Sequence, residues 1–239
     1  MNYIFDVDGT LTPSRARIDE KFLKWFLEFA ETHDVFLVTG SDSSKTIEQI
    51  GKELFAKVQC VYNSSGNTKH IRGICVYNTK KLELPEAPHK FLVKKLISSG
   101  FDIKTGLHFE SRPGLLNFSI VGRNATKNQR KEYVKYDTIS DERQCISNEF
   151  NKKFSKKFNI MSQVAGETGL DIIVNGKDKA QILKDFTFQE SLVFFGDNIQ
   201  PGGNDYGIAQ AIEYGPYRYS ECHKVKNWKE TWKILKKIQ

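Results

Sequence analysis

The chain has 239 residues, 39% of them hydrophobic, which allows a substantial core in one large domain or in one domain carrying an insertion. Its 36 basic residues against 29 acidic ones give a formal charge of +7, a balance that suits capture of a small anion. Nucleic-acid binding ranks below that, because the densest basic segment, Lys224 to Lys237, spaces Val225, Trp228, Trp232 and Leu235 as the apolar face of an amphipathic helix with solvated lysines. No apolar run is long enough to span a bilayer, and the first strand begins too near Met1 to leave room for a secretory leader. The expectation is a cytoplasmic protein with no membrane and no nucleic-acid partner. Cys60, Cys75, Cys145 and Cys222 lie far apart without a Cys-x-x-Cys pair, so free buried thiols are expected, with neither a zinc site nor a disulfide framework.

Tyr3 to Phe5 reads as a short buried strand that runs into Asp6-Val7-Asp8-Gly9-Thr10. Two carboxylates one residue apart raise each other's pKa unless a cation or a shared proton relieves them. Magnesium takes one or two carboxylates together with phosphate and water, so the pair suits a metal-assisted site in which Asp6 attacks and Asp8 handles protons. An ordinary Asp-Gly turn fits the same residues. A calcium loop does not, because Thr10 to Ile18 supplies no further spaced oxygen ligands and no closing Glu.

Ile18, Phe22, Trp25, Phe26 and Phe29 follow at helical spacing, and Val35 to Val38 is a continuous apolar strand, which completes a βαβ unit and implies a parallel sheet. Thr39-Gly40-Ser41-Asp42-Ser43 then leads into a helix marked by Thr46, Ile47 and Ile50; its residues either cap that helix or offer its N-terminus to an anion. Cys60 to Tyr62 suggests a third strand entering the loop Asn63 to Gly66. From about 80 to 176 the pattern changes. Leu82 to Pro88 reads as a connector, Phe91 to Ile97 as helical, and Leu115 to Val121 as extended. Ile146, Phe150 and Phe154 recur on a charged helix, and Asn175-Gly176 reads as the exit turn. Arg112, Arg123 and Arg130 flank and follow the extended segment, where guanidinium forks suit phosphate, although three arginines also make a solvated edge. After Lys177-Asp178-Lys179 and a short helical stretch, Leu192 to Phe195 forms an apolar strand ending at Gly196-Asp197. Asp6, Thr39 and Asp197 thus all fall at the carboxyl ends of strands of one sheet, where ligands of such sheets bind.

Asp6-Val7-Asp8-Gly9-Thr10, Val38-Thr39-Gly40-Ser41, Lys179 and Gly196-Asp197 with Gly203-Asn204-Asp205 resemble the haloacid dehalogenase superfamily in motif and order. Within it the chain resembles the eukaryotic-type phosphomannomutase family. The shared marks are Asp-Val-Asp-Gly-Thr-Leu-Thr with a following arginine at Arg15, arginines eleven and seven apart at Arg112, Arg123 and Arg130, and Phe194-Phe195-Gly196-Asp197 followed by Pro-Gly-Gly-Asn-Asp. The likeness covers residues 3 to about 207.

The resemblance implies an α/β fold: a Rossmann-like parallel-sheet core at 1–79 and 177–239, with an inserted α+β cap at 80–176. It implies Asp6 as nucleophile, Asp8 as general acid and base, and Lys179 as their catalytic partner. Mg2+ is implied on Asp6, Asp197 and the main-chain carbonyl of Asp8. A hexose monophosphate substrate is implied on Arg15, Thr39, Ser41, Arg112, Arg123, Arg130 and Asp171, with hexose 1,6-bisphosphate as activator and a homodimer through the cap. The implied activity interconverts mannose 6-phosphate and mannose 1-phosphate for GDP-mannose synthesis. The chain departs from the family at Gly169, where the family has Ser, and at Thr39, which resembles the superfamily's phosphatases. A sugar-phosphate phosphatase is therefore the alternative. After Asp205 the segment lacks the Asp of the family's second, structural metal site, and none is expected. A scaffold without chemistry leaves Asp6, Asp8 and Asp197 unexplained.

Overall fold

The computed structural model describes residues 1–238. They divide into two compact units, Met1–Thr79 with Lys177–Gln239, and Lys80–Gly176.

The first unit begins with β1 (Asn2–Phe5), α1 (Glu20–Thr32), β2 (Asp34–Val38), α2 (Ser43–Lys57) and β3 (Cys60–Asn63), followed by the hairpin β4 (Thr68–Ile71) and β5 (Ile74–Asn78). Asp19 caps α1 by accepting from the Lys21 and Phe22 amides, and Phe22, Phe26 and Phe29 form its buried stripe. Asp42 caps α2, accepting from Lys45 N at 2.8 Å. That helix is broken at Gly51, whose φ of +81° is a conformation glycine adopts without penalty.

The inserted unit comprises α3 (Glu86–Ser98), β6 (Phe109–Arg112), β7 (Leu115–Phe118), α4 (Lys127–Ser140), α5 (Glu142–Phe150), α6 (Lys156–Phe158), β8 (Ile160–Ala165) and β9 (Gly169–Val174). Its strands form an antiparallel sheet ordered β6-β7-β9-β8. Leu116, Phe118, Leu170, Ile172 and Ile160 pack from one face onto Leu92, Tyr133, Ile146 and Phe150 of the helices. The period of two sends the intervening residues to the other face. Glu110, Asn117, Asp171 and Gln163 stand directly opposite one another across all four strands, forming a polar row.

The chain then returns to the first unit with β10 (Ser191–Gly196), α7 (Tyr206–Glu213), β11 (Tyr219–Lys224) and α8 (Trp228–Leu235), and Lys179–Asp185 is a 3-10 helix. The seven-stranded sheet runs β11-β10-β1-β2-β3-β4-β5, parallel from β11 to β3. It is covered on both faces, which is why its strands read as unbroken apolar runs. Tyr3, Phe5, Val35, Leu37, Val193 and Phe195 feed one core with α1, α2 and α8, while Ile4, Val38, Leu192 and Phe194 feed the other with Ile182, Ile208 and Ile212.

Four expectations are corrected. The stretch assigned to a connector is helical from Glu86, because Pro88 falls in the first turn, where a missing amide hydrogen costs nothing. The extended segment ends as a strand at Phe118, three residues early; Ser119 N still meets His108 O in the β6–β7 register, and the chain leaves the ladder beyond it. The charged helix carrying Phe154 widens into a π turn at Asn151–Ser155, where Asn151 pairs with both backbone groups of Ser162 on the edge strand. The thiols are not all buried: Cys60 is, Cys222 is half-buried, and Cys75 and Cys145 are exposed, one on the largely exposed β5 and one beside the buried stripe of α5. No described helix is long and apolar enough to cross a membrane.

Candidate active site

The adjacent parallel strands β10, β1 and β2 end side by side, so the residues that follow them, Asp197, Asp6 and Thr39, share one edge of the sheet. Asp6 extends the ladder by one bond, its amide donating to Phe195 O at 2.9 Å. The loop then closes on itself through Leu11 N and Thr12 N, which both donate to Val7 O. Gly9 is needed there twice over. Its φ is +82°, and a Cβ would sit 2.7 Å from the Asp197 carboxyl carbon.

Lys179 opens the 3-10 helix and is fully buried, with Nζ donating to Asp6 Oδ1 and Asp205 Oδ1, each at 2.6 Å. Burial works against the ammonium, but the Asp205 and Asp6 carboxylates outweigh it and raise its pKa. Asp205 also accepts from the Asn198 amide at 3.2 Å. Asp6, Asp197 and Asp205 each offer an oxygen within 4.8 Å of the others. Burial first, and then the neighbouring carboxylates, push the Asp6 carboxyl well up against the opposing pull of Lys179. The same two causes push Asp197 up to about 7. Three carboxylates facing one ammonium leave an excess of negative charge in a buried pocket of oxygen donors. That donor set fits a hard divalent cation.

Asp8 stands apart from this cluster. Its Oδ1 accepts from Arg15 N at 2.7 Å and Gln49 Nε2 at 3.0 Å, and its Oδ2 from Ser41 Oγ at 3.3 Å. These donors are all neutral, so they fix the carboxylate without neutralising its charge, an arrangement compatible with acid–base chemistry. Arg15 adopts a φ of +56°, and its amide serves Asp8. Thr39 is buried, with Oγ1 accepting from Ser41 N at 3.1 Å. The loop after β2 is tied to the one after β3 by Ser64 N on Ser41 O and Ser65 N on Thr39 O.

Two residues of this site escaped the sequence reading as site residues. Asp205 was part of a motif, and the signal for its role was Lys179 itself, since a fully buried ammonium demands more than one counter-charge. Gln49 is buried with Thr46 and Ile50 on the inner side of α2, and nothing in its local pattern marks it.

In the inserted unit the three arginines are not a solvated edge. Arg112, Arg123 and Arg130 have side chains 8%, 19% and 10% exposed, each paired with a carboxylate. Glu110 Oε2 accepts from Arg112 Nη2 and Arg123 Nε, both at 2.6 Å. Arg130 Nη2 reaches Glu167 at 2.9 Å, and its Nη1 reaches the Thr168 hydroxyl at 3.4 Å. Asp171 accepts from Asn117 Nδ2 at 2.6 Å, and Asn117 Oδ1 in turn accepts from Arg123 Nη1 at 3.4 Å. Arg112, Arg123 and Asp171 are therefore one network, while Arg130 is bound to Glu167 and Thr168. Gly169 belongs beside it, because a Cβ there would lie 2.6 Å from Asn117 Nδ2.

The eukaryotic phosphomannomutase family matches residues 22–239. The phosphomannomutase of Spinacia oleracea is 33% identical over 210 residues, covering 86% of this chain and 84% of that protein. The one from Arabidopsis thaliana is 32% identical over 216 residues, covering 87% and 86%. Among solved structures, an IMP-nucleotidase from Plasmodium falciparum superposes with a TM-score of 0.65 at 18% identity, over 99% of this chain and 67% of that one. A trehalose-6-phosphate phosphatase related protein gives 0.54 at 17% identity, over 100% and 96%. At such identities these two report the fold alone, that of a parallel-sheet core carrying an inserted α+β unit. Sequence identity spread over more than four-fifths of each plant relative goes further: the chain belongs to the eukaryotic phosphomannomutase family.

Proposed function

We propose that the protein interconverts mannose 6-phosphate and mannose 1-phosphate by way of an aspartyl-phosphate enzyme and a hexose 1,6-bisphosphate, feeding GDP-mannose synthesis in the cytoplasm. Asp6 is the nucleophile. It takes a phosphoryl group from the bisphosphate activator and returns it to either end of the sugar, which divides the transfer into two in-line displacements. Asp8 removes the proton from the attacking sugar hydroxyl and gives it back to the leaving oxygen in the reverse step. Lys179 holds Asp6 in place through its 2.6 Å hydrogen bond, and its ammonium favours the charged carboxylate against the burial that opposes it. Mg2+, held by Asp6, Asp197 and the Asp8 main-chain carbonyl, would offset the charge of the transferring phosphoryl group. Thr39 and Ser41 serve that phosphoryl group, and the Ser41 hydroxyl also bonds Asp8.

The phosphate not in transfer is bound by Arg112, Arg123 and Arg130, with Arg15 and Asp171 completing the substrate set and a homodimer formed through the cap. The observation that carries the mutase reading is the arginine pair converging on Glu110 with Asp171 alongside, a built anion site that hydrolysis of a small ester does not need. A coupled assay for mannose 1-phosphate with catalytic bisphosphate tests it: product formation dependent on bisphosphate is expected, and phosphate release matching substrate loss refutes it. Thr39 supports a second reading, a sugar-phosphate phosphatase, which the same assay separates.

A further inference from the structure

Glu110 is a residue that no part of the proposed mechanism uses. It stands at the β6 end of the polar row, opposite Asn117, and its side chain is 27% exposed. One of its oxygens, Oε2, accepts from two different guanidinium groups, Arg112 Nη2 and Arg123 Nε, at 2.6 Å each. Two guanidinium groups repel at this range unless an anion lies between them. They also come from different parts of the chain, Arg112 from the end of β6 and Arg123 from the loop beyond β7. A shared partner fixes the separation and orientation of the pair, whose long side chains each carry several rotatable bonds that are costly to order. Arg123 also donates to Asn117 Oδ1 at 3.4 Å, a longer and neutral bond.

We infer that Glu110 is a positioning residue that joins Arg112 and Arg123 into one preformed clamp for a phosphate dianion. The inference rests on the reading that these arginines bind the phosphate not in transfer. Preorganisation of this kind acts on binding, because the ordering of two flexible cations is complete before the ligand arrives. Loss of Glu110 therefore falls on KM more than on kcat. It also falls only where both arginines are present to be joined.

The test is a double-mutant cycle on the full chain with mannose 6-phosphate, magnesium and hexose bisphosphate, each variant first shown to melt cooperatively. Glu110→Gln keeps length and an acceptor oxygen but removes the charge, and is expected to raise KM by about tenfold or more. Glu110→Asp, with its carboxylate one methylene shorter, is expected to give an intermediate KM and serves if the Gln variant does not fold. Arg123→Ala raises KM by itself, and adding Glu110→Gln to it is expected to change KM by less than twofold, because the joint is already gone. An unchanged KM in both Glu110 variants, or effects that multiply in the double variant, overturns the inference. If Arg123→Ala leaves KM unchanged, the phosphate-binding reading itself is wrong. If Arg123→Ala raises KM and the Glu110 variants do not, only the positioning role falls.

Discussion

The two polar constellations of this molecule are built in opposite ways. Around Asp6, three carboxylates confront one ammonium, and they are drawn from loops that the chain visits at residues 6, 179, 197 and 205. Around Glu110, the guanidinium groups have carboxylate partners within one antiparallel sheet and the loop beyond it. The first is electrostatically incomplete, and burial makes the imbalance costly until a cation arrives. The second is paired and held in register, two guanidinium groups sharing one carboxylate, so on the proposed function an incoming phosphate would meet donors that are placed in advance.

Replacing residues on either side separates the two roles. The largest effect is expected from Asp6→Asn, which removes the nucleophile and should lower kcat by about 10^4-fold or more, toward hexose monophosphate and simple phosphate esters alike. Residual mutase turnover well above that level contradicts its role. Chelation of divalent cations should abolish turnover, and adding Mg2+ should restore it; activity that survives exhaustive chelation removes the argument built on the carboxylate excess. Lys179→Met leaves Asp6 and Asp205 buried without their shared cation, and urea unfolding should show a loss of about 3–5 kcal/mol. A stability change under 1 kcal/mol would mean that the buried pair is not structural.

Smaller effects probe the paired side and the fold. Arg123→Ala should raise KM for the hexose monophosphate by about tenfold to a hundredfold, with the greater change in KM than in kcat, as steady-state kinetics will resolve. At the far end of the core, burial raises the Asp185 pKa, but hydrogen bonds from Lys69 at 2.6 Å and Tyr62 at 2.8 Å overcome it and hold the pKa down. A depressed pKa contributes stability above the unfolded-state value and loses it as pH falls through the folded one. Asp185→Asn should therefore flatten the acid limb of a stability-against-pH curve below about pH 4, and an unaltered slope would dismiss the pair.

Much of the core was legible because the sheet is covered twice. Ile4 faces one core and Tyr3 and Phe5 the other, so β1 announces itself as an apolar run, and β2 and β10 do the same. The hairpin β4–β5 was illegible, since β5 is an edge strand with little buried. Helix α4 was missed for the same kind of reason: only Arg130 and Tyr133 are buried along it, leaving no apolar stripe, although the Thr126–Gln129 capping box was there to be read. In the site, the Asp6–Thr10 loop and Lys179 were marked by composition and order. Asp205 and Gln49 act through contacts across many residues, Gln49 reaching Asp8 from 41 positions away, and no local pattern carries such a contact. Glu110 was hidden for another reason: strand register, which places it opposite Asn117, is set by pairing and not by any motif.

The central claim is that the phosphoryl group on Asp6 passes to a sugar hydroxyl and not to water. Phosphorus NMR of mannose 6-phosphate with enzyme, magnesium and catalytic hexose bisphosphate reads both fates in one spectrum. The account predicts a growing mannose 1-phosphate resonance that settles to a constant ratio with the starting ester, while inorganic phosphate stays a minor signal. Inorganic phosphate rising in step with the loss of mannose 6-phosphate, with no 1-phosphate resonance, would contradict it.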